Sequence, residues 1–474
     1  MEDVENKIQN IILKQRNFFA TGKTKKVEFR IECLKKLKRE ILKNELNIKE
    51  ALKKDLNKSY SESYMTEIGM TLSELNYVMK HTKKWSKKKI IPTPIVHFPS
   101  ISYTFPEPYG TVLILSPWNY PFMLIMEPLI GAISSGNTII LKPSEFAPYT
   151  ANIIEKIIKN CFKEEYVAVV KGEKEVSQDL INSKVDYIFY TGGTKVGKIV
   201  MEAAAKNLTP VTLELGGKSP CIIDKNYNIK LAAKRLVFGK LLNAGQTCIA
   251  PDYVLVNKTV KDELVKWIKY YLNQFLGENI LDNNEYPKII NKRHFDRLTS
   301  LIENQKILVG GKSNIKTLKL EPTLIDNPKR ESMVMNEEIF GPILPIIEYE
   351  NILEAINYIR SYEKPLALYL FTNDKKLENK ILSQISFGGG CINDTIIHIA
   401  NSNMPFGGVG HSGIGGYHGK SSFNTFSHNK SITKKFVLDL PLRYMPYTNW
   451  KDKIIKAFMK WLLISKKYEI SWIL

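Results

Sequence analysis

Three short stretches carry side chains able to do covalent chemistry. In "LLNAGQTCIAPDYVLV", Cys248 follows Gly245, Gln246 and Thr247 and precedes an alternating apolar run. A cysteine attacks as the thiolate, from partly exposed, electropositive turns. A free cysteine in apolar surroundings is otherwise a small core residue, and Cys248 taken alone allows either reading. "VTLELGGKSP" sets Glu214 inside an apolar strand just before two glycines. A lone buried carboxylate is costly, so it has a partner or a task. It is either a general base with a raised pKa or the partner of a lysine. "ILSPWNYPF" puts Asn119 on a loop stiffened by Pro117 and Pro121. Its amide can donate to a developing oxyanion or simply hold its own turn.

Two further stretches suit a nucleotide. "VDYIFYTGGTKVGKIV" runs from a strand through Gly192, Gly193 and Thr194 into a helix carrying Val196 and Gly197. Ligands of parallel α/β sheets bind beyond the carboxyl ends of strands, and a helix N-terminus offers free N–H groups to phosphate. The spacing is not G-x-G-x-x-G, so an ordinary strand-to-helix turn fits equally well. "IILKPSEFAP" ends another strand with Lys142 and Glu145. Lysine donates to hydroxyls or phosphate and glutamate accepts from a ribose hydroxyl; a solvated loop is the alternative.

The elements that must position these groups are legible in the patterning. From Met1 to about Lys89 the apolar spacing is helical, with Phe29, Cys33, Leu34, Leu37 and Ile41 on one face. "IIPTPIVHFPSISYTFPEPYG" has too many prolines for a helix, and alternation at Ile101, Tyr103 and Phe105 predicts an exposed or edge strand. After Gly110, strands and helices alternate through "VTLELGG", and a second series starts near "SPCIID" and runs to "KPLALYLFTND". Repeated βα units imply an α/β fold of parallel sheets covered on both faces, in two domains.

The 474 residues are 44% hydrophobic and 24% charged, enough for two or three domains with substantial cores. The net charge of +20 comes mostly from scattered lysines, which reads as solvated faces rather than a nucleic-acid groove. Five widely spaced cysteines without a C-x-x-C argue against disulfides and zinc and for a reducing, cytoplasmic setting. The N-terminus lacks a signal-peptide pattern. No run approaches the ~20 apolar residues needed to span a bilayer.

Taken in order, "SPWNYPF", "LKPSE", "YTGGTKVGK", "TLELGGKSP", "GQTCIAPDYVL", "EEIFGPILP" and "MPFGGVGHSG" resemble the aldehyde dehydrogenase superfamily along nearly the whole chain. "FFATGKTKKVEFR" and "YHGKSSFNTFSH" resemble its class three and fatty aldehyde dehydrogenase branch. The resemblance implies a Rossmann-type cofactor domain at 1–89 and 107–212, a catalytic domain at 213–412 and a small β-arm for oligomerisation at 90–106 and 428–440. It implies Cys248 as nucleophile, Glu214 as base for hydrolysis, and Asn119 with the Cys248 N–H as oxyanion hole. Lys142 and Glu145 would contact the adenosine ribose of NAD or NADP, and Gly192, Gly193, Val196 and Gly197 would approach the pyrophosphate. Glu338 would hold the nicotinamide ribose, with Phe340 beside it. The implied activity is NAD(P)-dependent oxidation of medium- or long-chain aliphatic, or aromatic, aldehydes to acids through a thiohemiacetal and a thioester, in a homodimer and without a metal. A CoA-acylating relative and a non-catalytic binding relative are the alternatives. An intact "TLELGGK" speaks against the first, and Cys248, Asn119, Glu214 and Glu338 together speak against the second.

The tail, 441–474, reads as a basic amphipathic helix. Ile454, Ile455, Phe458, Trp461 and Leu462 share one face, and Lys453, Lys456 and Lys460 share the other. Such a helix suits peripheral membrane contact or packing on protein.

Overall fold

The computed structural model describes residues 2–469. They form two compact units, a larger one from residues up to 87 and 106–428 and a smaller one from 88–105 and 429 onward.

The larger unit opens with helices Glu2–Ala20, Val27–Lys43, Glu45–Leu56 and Gly69–Trp85. The face expected on the second of these is the one it buries: Cys33, Leu34, Leu37 and Ile41 are buried, and Phe29 packs half-buried beside them. Between the last two helices, a short helix Tyr60–Ser63 starts at Ser59, whose Oγ accepts from the Glu62 N–H at 3.1 Å. It widens into a π-helical turn, Tyr64–Ile68.

Two sheets follow. The first has six strands in the order Gly413–Ile414, Val211–Glu214, Tyr187–Thr191, Thr111–Leu115, Thr138–Lys142 and Val167–Val169. All are parallel except the first. Their β-branched and aromatic residues are almost wholly buried, as expected of a sheet covered on both faces. The strand order reverses beside Thr111–Leu115, so a crevice opens beyond Leu115 and Thr191. The loops carrying Asn119 and Gly192–Gly193 leave the sheet at that crevice.

The second sheet has seven strands: Ile307–Val309, Thr323–Asp326, Ile343–Tyr349, Tyr253–Asn257, Pro220–Ile223, Ala367–Phe371 and Gly389–Ile392. All are parallel but the first. The boundary expected at 213 cuts a strand of the first sheet. Leu213 and Glu214 pair with Tyr190 and Thr191, and the chain leaves that sheet only after Glu214. The chain returns at Gly413, which lies opposite Glu214, and helix Gly419–Thr425 then packs on Gly69–Trp85 and Met123–Ser135.

The smaller unit has strands Lys89–Ile91, Ser100–Pro108 and Ser427–Lys435 and a helix, Asn449–Glu469. Of the two readings, an exposed or an edge strand, Ser100–Pro108 does not fit the edge, since it is the middle strand. Its prolines fall at 106 and 108, so Ser100–Phe105 keeps the N–H groups that pairing on both sides requires. Ile101 is exposed, and Tyr103 and Phe105 are half-buried. Residues 470–474 and the side chain of Leu462, both part of the tail reading, lie outside the described residues. Among those described, no helix is long and apolar enough to cross a membrane.

Candidate active site

Cys248 sits on a turn, half-buried, between the second-sheet strand Tyr253–Asn257 and a backbone run of rare conformation. Asn243, Ala244 and Gly245 all have positive φ, at 51°, 51° and 73°. A Cβ on Gly245 would also collide with the Gly341 carbonyl. Side chains further fix the turn. Gln246 Nε2 donates to Lys288 O at 3.0 Å, its Oε1 accepts from Ile290 N at 3.0 Å, and Tyr369 donates to Ile249 O at 2.5 Å. Strain held by so many partners is typical of functional turns. Burial, then the carboxylates of Glu338 and Glu214, push the Cys248 thiol up to about 12, and the N–H groups of Cys248 and Ile249 oppose the shift. The other four cysteines lie elsewhere in the fold, and burial raises each of them too.

Asn119 is buried, and its Nδ2 donates to Gln246 O at 3.0 Å. This bond ties the Asn119 loop to the Cys248 turn and leaves the second amide N–H for another acceptor. Tyr120 adds a hydroxyl contact to Thr247 Oγ1 at 2.7 Å. Trp118 packs edge-on to Phe340, with ring centroids 5.3 Å apart.

Glu214 is 3% exposed, and neither carboxylate oxygen has a hydrogen-bond partner. The lysine pairing that the strand pattern allowed does not occur. Burial holds its carboxyl well above the usual carboxylate range. Glu338 precedes the strand Ile343–Tyr349, and its carboxylate presses on Gly216, where a Cβ would overlap it. Its Oε1 is buried without a partner. Burial, then Asp252, raise it to about 8, opposed by the Gly217 N–H, Lys218 and Arg297. Its loop is strapped on two sides. Arg297 donates to Ile339 O at 2.6 Å, and Asp252, itself paired with Lys218, accepts from Ile339 N at 2.9 Å.

The remaining predicted residues line up along the carboxyl ends of the first sheet. Lys142 is buried at the end of its strand and pairs with the half-exposed Glu145 at 2.7 Å. Glu145 borders a 100 Å³ pocket with Pro143, Ser144 and Asn152. Gly193 is the N-cap of helix Thr194–Ala205 and has no side-chain cap. A Cβ there would meet nothing within 4 Å, and Val196 is exposed on the first turn. Gly197 lets the helix close on Leu215. An uncapped helix end, an acid beside a lysine, and the orphan Glu338 oxygen at the far end suit a dinucleotide laid across the crevice.

Cys248 also lines a 170 Å³ cavity, with Met65, Met70, Met123, Leu124, Phe238 and Ile397. A thiol in the lining of an apolar cavity, an amide donor tied to its turn, an unpaired carboxylate and a nucleotide crevice together suit the class of nucleotide-dependent dehydrogenases.

The chain belongs to the aldehyde dehydrogenase family, whose profile matches residues 3–432. It is 49% identical to the 4,4'-diaponeurosporen-aldehyde dehydrogenase of Staphylococcus aureus over 96% of this chain and 100% of that one. It is 43% identical to aldehyde dehydrogenase family 3 member A2 of Macaca fascicularis, over 96% of this chain and 94% of that one. A substrate-bound structure of Staphylococcus aureus AldH superposes with a TM-score of 0.93 at 48% identity, covering 95% of this chain and 99% of that one. The protein is thus an NAD(P)-dependent aldehyde dehydrogenase of the family 3 branch.

Sequence reasoning missed Lys58, Glu62, Glu67 and Asn243, all of which contact the two key loops. The one local signal was the Glu62 and Glu67 spacing, which an α-helix would splay by roughly 140° and the π-helical turn accommodates.

Proposed function

We propose that the chain oxidises medium- and long-chain aliphatic aldehydes, with Cys248 as nucleophile, Glu214 as general base, and the Asn119 amide with the Cys248 N–H as oxyanion hole. The observation that carries this is the apolar cavity ending on Cys248. It offers methylenes a dry wall and offers a charged tail no partner. In this reading the first sheet carries the cofactor and the second the chemistry, with Lys142, Glu145, Gly192, Gly193, Val196, Gly197, Glu338 and Phe340 holding the dinucleotide.

The Cys248 thiol loses its proton to solvent, and Sγ bonds to the aldehyde carbon. The oxygen charge that develops falls on the free Asn119 N–H and the Cys248 N–H. The chemistry supplied by bound NAD or NADP is hydride acceptance from that carbon, which leaves a thioester on Sγ. Glu214, in its ionised form, then takes a proton from water. The hydroxide adds to the thioester, and the Cys248 thiolate leaves as the acid is released. An unpaired Glu214 with a raised pKa suits that transfer from water.

Two readings concern the smaller unit. Its three strands bridge two copies into a homodimer, and its helix contacts a membrane interface. The second is supported by exposed Trp450, Ile454 and Trp461 on a helix that also carries Lys453, Lys456 and Lys460.

NADH absorbance with hexanal and decanal, with and without CoA, tests the activity. The expected result is CoA-independent turnover with kcat/KM rising with chain length. A strict CoA requirement would make the thiol-acylating alternative the correct one.

A further inference from the structure

The π-helical turn Tyr64–Ile68 and the residues just before it hold charged groups that the reaction above does not use. Lys58 and Glu67 are fully buried and paired. Lys58 Nζ also donates to the Asn119 carbonyl at 3.0 Å and lies 3.9 Å from the centre of the Tyr120 ring. The other Glu67 oxygen accepts from Phe122 N at 2.9 Å and Met123 N at 3.3 Å. The pair therefore grips the Asn119 loop by hydrogen bonds at Asn119, Phe122 and Met123. Glu62, one helical turn earlier, takes the other loop: its Oε1 accepts from Asn243 N at 2.7 Å, the first residue of the positive-φ run before Cys248. Asn243 closes the ring by donating from Nδ2 to Asn119 O at 2.7 Å. Met65 and Thr66, on the same turn, line the cavity above Cys248.

A buried ion pair is weak as a source of stability, because desolvation offsets its attraction. Here each spare valence of the pair goes to one catalytic loop, which is the arrangement of a template. We propose that Lys58, Glu62 and Glu67 are positioning residues for aldehyde oxidation: they set the separation between the Asn119 amide and the Cys248 N–H, the two donors that receive the oxyanion. None of the three touches the reacting atoms. The proposal rests on the assignment of those two donors, and it makes the element that receives the aldehyde chain the same element that fixes them.

A misplacement of about 1 Å at a reacting centre costs on the order of a hundredfold in rate. Glu67→Gln keeps shape and loses one acceptor; Glu62→Ala frees Asn243 N from a half-buried site and serves if Glu67→Gln does not fold. Each is compared with the parent enzyme in single-turnover oxidation of hexanal, with enzyme and NAD in excess, beside the binding stoichiometry of NADH. The expected result is a single-turnover rate constant lowered by about tenfold to a hundredfold, with NADH still binding one per chain and the half-saturating enzyme concentration within about threefold of the parent. A merely structural role would move the stoichiometry and leave the rate constant of the folded fraction alone. Rate constants within twofold of the parent in folded variants would overturn the proposal. Cys248→Ala run alongside separates the failures: turnover surviving in it would mean that the assignment of the site, rather than the clasp, is wrong.

Discussion

At the scale of single residues, the site is a competition between burial and charge. Cys248, Glu214 and Glu338 each hold their neutral form more strongly than in water, because burial penalises each ion, and the Glu338 and Glu214 carboxylates raise the Cys248 thiol further. Cys248→Ala removes the proposed nucleophile. It should abolish aldehyde oxidation and leave NAD binding nearly intact, as read by turnover and by NADH fluorescence titration. Glu214→Gln separates the two half-reactions. Removing the carboxylate can only ease Cys248 ionisation, since Glu214 raises that thiol. Thioester formation should therefore persist, as an NADH burst near one per site, and deacylation should stall. The pH dependence has a definite sign. Glu214 acts as a base only after losing a proton held above the usual carboxylate range, so deacylation-limited kcat should rise with pH along a limb well above pH 4.5. Glu214→Gln should lose that limb. Equal loss of burst and steady state in the variant would instead assign Glu214 to activating the thiol.

At the scale of elements, what could be read in the sequence depended on where chemistry meets a break in regular structure. Cys248, Asn119, Glu214 and the Gly192–Gly193 loop all stand where a strand meets a turn, beside Gly or Pro, and such positions can be found from local patterning. Lys58 and Glu67 could not be found this way. They fall in the stretch whose apolar spacing is helical but marks neither of them, and full burial of both is set by residues more than fifty positions away. The middle position of Ser100–Pro108 escaped for the same reason, since one of its neighbours is over three hundred residues distant. Glu338 and Phe340 were reached only through the family resemblance; nothing in their spacing alone marks them. The Gly245 turn makes a test at this scale. Alanine there must hold φ near 73° and move the Gly341 carbonyl, which belongs to the Glu338 loop. The left-handed strain alone costs about 1–3 kcal/mol. Gly245→Ala should lower the melting temperature and cut kcat at least tenfold, because both loops shift. A variant with parental kcat and melting temperature would show that the packing is looser than the geometry requires.

At the scale of the whole molecule, the net charge of +20 and the tail have to be read together. In the helix Asn449–Glu469, Trp450, Ile454, Met459 and Trp461 are exposed, and Ile455 and Phe458 are half-buried. Lys453 and Lys460 are exposed, while Lys456 is paired with Asp452. Large apolar side chains left in water cost free energy that either a lipid interface or a protein surface would recover. The two differ in salt dependence. Juxtamembrane lysines contribute about 1 kcal/mol each near an anionic surface, and that contribution decays within a Debye length. Contact with protein through the apolar face has no such sensitivity. The full chain should therefore sediment with vesicles of phosphatidylserine and phosphatidylcholine at low ionic strength, less at 0.5 M salt, and little with phosphatidylcholine alone. The chain ended after Tyr447 should stay in the supernatant throughout, with its turnover of hexanal unchanged. If the full chain also stays in the supernatant, the exposed face serves a protein contact. The truncated chain should then differ from it in the concentration dependence of its sedimentation coefficient.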